Sequence, residues 1–337
     1  MREIHFSVVI PTRNGEPYIA ATIESILSQT YPHFEIILLE HESTDRTVEI
    51  AQGYGDPRIR IASTDQPQTI ESNWARILDL DLADYLTIVG HDDILYPEFL
   101  QEIARLITAE PDASLFQTQF HIIDSDGSII RPCKPVPYRE TGEAFMRARQ
   151  HFQRDSFGTG YVMRSAHFKQ VGGFRPFPRL IFADDFCFYA LATLAGKVCS
   201  PRYLFGYRYH RKSEAYMSGL ETLTEASQHL MTALEETPYA HDSANMALAR
   251  DYLNKTFTRR YIRILIHLMQ SGDTAKRQHY RAIRANFLRH FQPHNVSIYD
   301  MMARIVEILV TLPFSGLQRL VSCSLQRLIR LTRGIKN

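Results

Sequence analysis

Along the first two hundred residues, short runs of consecutive apolar side chains alternate with stretches whose apolar residues recur every three or four positions. Residues 6–10 (FSVVI) and 34–39 (FEIILL) are such runs, and runs of this length predict strands buried on both faces. Between them, over residues 17–29, Ile19, Ile23, Ile26 and Leu27 fall on one face of a predicted amphipathic helix. Ser43, Thr44 and Asp45 offer N-cap oxygens for a helix over residues 46–52. A short strand over 58–61, a helix over 71–82, a strand over 85–89 and a helix over 97–109 continue the series. This strand–helix order predicts an α/β fold: a mixed, mainly parallel sheet flanked by helices.

The pattern then changes. Residues 114–123 and 128–130 flank Asp124-Ser125-Asp126-Gly127, a hairpin turn signal that predicts antiparallel pairing on one side of the sheet. Residues 156–182 are rich in Gly, Pro and Phe with little periodicity, and read as loops around a site. A helix over 185–195 and a strand pair over 197–209 follow. From about residue 216 only helical periodicity remains, over 220–236, 242–270, 274–290, 297–312 and 314–333. The expected organisation is an α/β domain over 1–215 and an all-helical, basic and amphipathic region over 216–337.

Candidate chemistry concentrates where the strand over 85–89 ends, in YLTIVGHDDILYP. Paired carboxylates at the C-terminal edge of a parallel strand stand where open α/β sheets bind ligands. Asp92 and Asp93 are hard oxygen donors suited to Mg²⁺ or Mn²⁺ on a diphosphate. The plainer reading is that one of them caps the helix at Pro97.

Composition narrows the class further. Hydrophobic residues at 45% and charged residues at 22% suit a globular protein with a real core. The four scattered cysteines contain no CxxC pair, which argues against a zinc site or disulfide framework and for a reducing compartment. MREIHFSVVIP runs straight into a strand pattern and offers no export signal, and no apolar stretch is long enough to predict a transmembrane helix. The net charge of +1 hides an asymmetry: residues 258–337 hold 14 Lys and Arg against 3 Asp and Glu, leaving 24 against 34 for the rest. A basic end of this kind aims at an anionic partner, a membrane surface or a nucleic acid.

Several blocks in order resemble the family 2 glycosyltransferases. They are VVIPTRNGEPYIAATIESILSQTYPHFEIILLE, STDRTVEIA, SNWARILDLDLADYLTIVGHDDILYPEFL, VGGF, ADDFCFYALATLAGKV and YRYHRKSEA, which together span roughly residues 5–214. The resemblance implies a GT-A, Rossmann-like nucleotide-sugar fold and a metal-dependent inverting transfer to a hydroxyl of a glycan or lipid-linked acceptor. It further implies a nucleoside-diphosphate sugar donor, UDP or dTDP favoured, a Mn²⁺ or Mg²⁺ cofactor, and a role in bacterial surface polysaccharide synthesis. By the same resemblance, Pro11, Thr12 and Arg13 line the base and ribose pocket, and Glu40, where the family usually has Asp, accepts from the base. Arg76 supplies a basic contact to the nucleotide. Asp92 faces the ribose, Asp93 ligates the metal with His210 as a further metal candidate, and His91 is a neighbour. Asp185 is the general base, with Asp184 before it in place of the family's Glu-Asp pair; the plainer reading of Asp184 is a cap for the helix over 185–195.

Over 297–333 apolar stripes (Ile298, Met301, Met302, Ile305, Leu309, then Leu317, Leu320, Val321, Leu325, Leu328) run beside Arg319, Arg327, Arg330 and Arg333. Such helices lie on anionic membranes, pack on their own core or form a dimer contact. The expected setting is cytoplasmic, with a peripheral place at the inner face of the plasma membrane and room for an oligomer. Two other functions compete. The unusual Glu40-His41-Glu42 and Asp184 motivate a nucleotide-sugar-binding or scaffold protein without transfer, against which Asp92, Asp93 and Asp185 argue. Nucleic-acid binding by the basic tail fits worst, because the tail lacks interleaved aromatics and any recognised motif.

Overall fold

The apolar runs become a ten-stranded sheet. The computed structural model describes residues 3–209, 219–271, 274–291 and 298–311. The chain divides into two compact units, Met1–Met217 and Ser218–Asn337.

In the first unit, β1 (Phe6–Thr12), β2 (Phe34–Glu40), β3 (Ile59–Ile61) and β4 (Tyr85–Ile88) pair in parallel in the order β3-β2-β1-β4. All seven residues of β1 are buried, so helices must cover both faces. On one face α1 (Ile19–Leu27) and α4 (Phe99–Ala109) bury Ile19, Ile23, Ile26, Phe99 and Ile103 against Phe6, Val8, Ile36 and Leu38. Smaller helices follow β2 and β3: α2 (Thr47–Gly53) and α3 (Ile70–Ala75). The helix expected over 71–82 is α3 continued by one 3₁₀ turn, Arg76–Asp79, after which the chain extends at Leu80.

Antiparallel pairing begins beyond β4. β5 (Ile94–Leu95) is a two-residue strand, and β6 (Leu115–Ile123) forms the expected hairpin with β7 (Ile129–Pro132). After β8 (Arg139–Glu140) and α5 (Gly142–Gln150), the segment read as loops supplies β9 (Tyr161–Arg164) and α6 (Ser165–Gln170). β9 inserts antiparallel between β4 and β6. Four residues set among glycines carry too little periodicity to mark it. α7 (Ala183–Ala195) leads to β10 (Lys197–Arg208), one bulged strand where two were expected. β10 pairs in parallel with β6 and antiparallel with β8 at its start and β5 near its end. Its Pro201-Arg202 interruption is absorbed by register shifts between Ser200 and Phe205.

The second unit is helical: α8 (Leu220–Glu235), α9 (Ser243–Ser271), α10 (Thr274–Phe291) and α11 (Ile298–Thr311). Phe257 stacks on Phe287 at 3.9 Å, and Phe287 on Phe291 at 4.4 Å. A buried polar network ties three helices: Asp300 accepts from Asn254 and pairs with Arg284, which also donates to Glu307. α11 buries Ala303 and Val306 and exposes Met301, Ile305 and Ile308. Among the described residues no helix is long and apolar enough to cross a membrane. The segment over 314–333 lies outside the described residues.

Candidate active site

The C-terminal ends of β1, β2 and β4 carry the candidate site. Two loops laced by side-chain hydrogen bonds cover the first two strand ends. Asn14 N donates to Ser43 Oγ, Gly15 N to Thr47 Oγ1, and Thr44 N to Asn14 Oδ1. Gly15 is required there: a Cβ on it would lie 2.9 Å from Thr12 Oγ1 and 3.1 Å from the His91 ring. His91 is thus a packing neighbour of this loop.

At this edge Pro11 and Thr12 are buried and Arg13 is exposed beside Glu42. Glu40 is buried at the end of β2 and accepts from Ser43 N at 2.8 Å. His41 N donates to Thr12 O, joining the two strand ends. Thr12 Oγ1 and His41 Nδ1 are buried without a hydrogen-bond partner, an expense that native structures rarely leave unanswered. Burial, aided by Arg13, lowers the His41 pKa and keeps its ring neutral, with one nitrogen able to donate and one to accept. His41 was visible in the sequence only as an odd residue after Glu40.

Arg76 lies at this strand end, bonded to backbone and side-chain oxygens. Its Nη1 donates to Glu40 O and Asn73 Oδ1, and its Nη2 to Ala62 O and Ser63 O. These bonds tie the chain after β3 and α3 to the end of β2.

The acidic pair departs from expectation. Asp93, expected as the metal ligand, is 1% exposed. Its Oδ1 accepts from Arg208 N at 2.9 Å, and its Oδ2 from Thr159 Oγ1 at 2.7 Å and Gly90 N at 3.2 Å. Burial, reinforced by the charge of Asp92, pushes its pKa up to about 7. Asp93 therefore clasps the ends of β4 and β10 and the segment before β9. Asp92 is the partly exposed member, the better placed donor for a hard cation. Gly90 makes room for both carboxylates, since a Cβ there would lie 2.7 Å from Asp92 Oδ1 and 2.8 Å from Asp93 Oδ2. Arg208 completes the clasp: Nε donates to Asp92 O, and Nη1 to Asp124 O and Ser125 O in the β6–β7 turn. Sequence reading missed Arg208 and Thr159, since their partners lie 66 to 116 residues away.

The third part is the start of α7. Both oxygens of Asp185, expected as the base, accept from Arg149 on α5, at 2.6 and 3.0 Å. Its side chain is 3% exposed. Gly142 lets the two helices approach so closely that a Cβ on it would touch Thr193. Asp184 is partly exposed. Its Cβ is 3.7 Å from the position a Cβ on Gly158 would occupy, and Trp74 borders the same point at 3.2 Å. Burial and the neighbouring Asp185 charge push its pKa up to about 7. Tyr207 lies near the end of β10. Its pKa is raised by burial and by the charges of Asp93, Asp92 and Asp184, and its ring stacks on Phe157 at 3.5 Å. His210, the other metal candidate, lies outside the described residues.

The mainly parallel sheet with paired carboxylates at one strand edge is the arrangement of the GT-A fold. Residues 7–172 match the sequence model described as Glycosyl transferase family 2. Over 151 residues the chain is 28% identical to the amylovoran biosynthesis glycosyltransferase AmsB of Erwinia amylovora, covering 42% of this chain and 50% of AmsB. The chain spans at most about half the length of the first curated relatives it matches. Among solved structures, S. aureus TarS in complex with UDP-GlcNAc superposes with a TM-score of 0.65 at 15% identity, covering 91% of this chain and 89% of the other. The mannosyltransferase PcManGT from Pyrobaculum calidifontis, in complex with GDP-Man and Mn²⁺, gives 0.53 at 12% identity, covering 97% and 88%. The first unit is thus a family 2 glycosyltransferase domain.

Proposed function

We propose that this protein transfers a sugar, with inversion, from a nucleoside-diphosphate sugar to a hydroxyl of a glycan or lipid-linked acceptor in surface polysaccharide synthesis. The observation that carries this reading is the acidic pair Asp92 and Asp93 at the end of β4, clasped by Arg208 and Thr159, beside a strand edge with two orphaned buried polar atoms. Thr12, Glu40 and His41 take the base, with Pro11 and Arg13 at its border. UDP or dTDP is the favoured carrier, in keeping with the UDP-GlcNAc held by TarS.

Asp92 would hold Mn²⁺ or Mg²⁺. That ion, when bound, neutralises charge on the diphosphate leaving group. Asp184 accepts the proton of the acceptor hydroxyl as its oxygen attacks the anomeric carbon and the bond to the diphosphate breaks. Asp185, locked to Arg149, positions Asp184 and is not itself the acceptor. The test is release of nucleoside diphosphate from a panel of nucleotide sugars with glycan acceptors. Turnover supports transfer, whereas tight donor binding without turnover by the folded protein favours the scaffold reading.

The second unit gives this enzyme a surface for an anionic membrane. Met301, Ile305 and Ile308 form an exposed apolar stripe on α11, and 14 basic residues stand against 3 acidic ones from 258 to the end. Flotation with anionic but not neutral liposomes is the expected result; no flotation with either removes this part.

A further inference from the structure

Three potential metal ligands meet at the far end of the sheet from the acidic pair, where β1 and β2 begin. β1 has seven residues, so roughly 20 Å of strand separates this point from the cleft. Side chains two apart on an extended chain share a side, which places Glu3 with His5. The parallel register pairs Phe6 with Phe34, and Phe6 N donates to His33 O at 3.1 Å. His33 therefore stands beside His5, their ring centroids 5.2 Å apart. Tyr31 fixes the corner, its hydroxyl bonded to Ile4 O at 2.8 Å and its ring edge-on to His33.

The two imidazoles converge on one carboxylate. His5 Nε2 lies 3.8 Å from Glu3 Oε2, and His33 Nε2 lies 3.7 Å from Glu3 Oε1. The ligand atoms of all three residues lie within 4.8 Å of one another. The His–Glu distances are too long for hydrogen bonds. They approach the separation of about 3.4 Å between neighbouring ligands of a tetrahedral ion with bonds of about 2.05 Å. We propose that Glu3, His5 and His33 bind one divalent transition-metal ion of the zinc class. Two imidazoles and one carboxylate suit Zn²⁺, Ni²⁺ or Cu²⁺, whereas the all-oxygen preference of Mg²⁺ sends it elsewhere. The fourth position is open to water. Bound metal staples the segment entering β1 to the head of β2, and stabilises the fold by mass action.

Calorimetric titration of the full chain with ZnCl₂, in buffer free of chelators, tests this directly. The expected result is one site, retained in Asp92→Ala, with a matching rise in melting temperature that MgCl₂ does not give. His5→Gln and His33→Gln should each weaken Zn²⁺ at least tenfold while leaving the metal-free melting temperature unchanged, since both side chains are at least one-third exposed. Co²⁺ should show the visible absorption of a tetrahedral complex in the wild type and not in the double variant. Unchanged Zn²⁺ affinity in the double variant, or no Zn²⁺ binding by the wild type, overturns the proposal.

Discussion

Arg149 donates to both oxygens of Asp185, from Nε at 2.6 Å and from Nη2 at 3.0 Å, and so ties down one of two adjacent carboxylates. The other, Asp184, keeps a raised pKa and a partly exposed position. Two neighbouring residues of one type thus receive different tasks from their surroundings.

Asp184→Asn should lower transfer by about 10²–10⁴-fold, the usual range for a general base, with donor affinity within about threefold of wild type. Asp185→Asn should act differently, because it strands a buried guanidinium, and should cost stability on the order of 3 kcal/mol. Steady-state kinetics beside urea unfolding separate the two. Full activity in Asp184→Asn would return the base to Asp185.

The raised pKa sets a pH profile. Asp184 accepts a proton only when ionised, so kcat/KM should climb as pH rises toward about 7 and level off above it. The sign for stability is opposite. Between the ordinary carboxylate pKa and about 7 the folded state holds a proton that the unfolded state has lost, so this group's contribution falls as pH rises through that window. Asp184→Asn removes that cost, and it should melt above wild type at pH 8 by calorimetry.

In the acidic pair the roles divide by burial. Asp92→Ala should abolish the effect of Mn²⁺ on nucleotide binding while the protein keeps its fold. Asp93→Ala breaks bonds to Arg208, Thr159 and Gly90, and should lower the melting temperature whether or not metal is present. Thermal shift with and without Mn²⁺ checks both.

Lys197 Nζ meets Glu140 Oε1 at 2.6 Å, with side chains 1% and 3% exposed, and Arg154 reaches the other oxygen at 3.3 Å. Removing one partner of a buried pair leaves an uncompensated charge. Lys197→Met should cost about 3 kcal/mol in urea unfolding, and adding Glu140→Gln should recover part of it.

The parallel half of the sheet was legible because buried strands and amphipathic helices have distinct periods, and residues 6–109 show both. β9 escaped because YVMR is short and its partners β4 and β6 are distant in sequence. The same distance hid the site's division of labour. Asp92, Asp93, Asp184 and Asp185 are conspicuous as pairs in the sequence, but which member of each is tied down depends on Arg208, Thr159 and Arg149. Those ties form only when the β4 end meets β10 and α5 packs on α7. Arg76 is a further case: a basic residue at the β2 end, bonded to backbone carbonyls.

One nucleoside diphosphate is expected to bind at the acidic pair together with a divalent metal. Calorimetric titration of UDP, dTDP, GDP and CMP into the protein, each with and without Mn²⁺, is the decisive measurement. The expected result is Mn²⁺-dependent binding of a diphosphate, UDP or dTDP first, lost in Asp92→Ala. Absence of binding by every nucleotide to folded protein, or binding indifferent to both Mn²⁺ and Asp92→Ala, would contradict it.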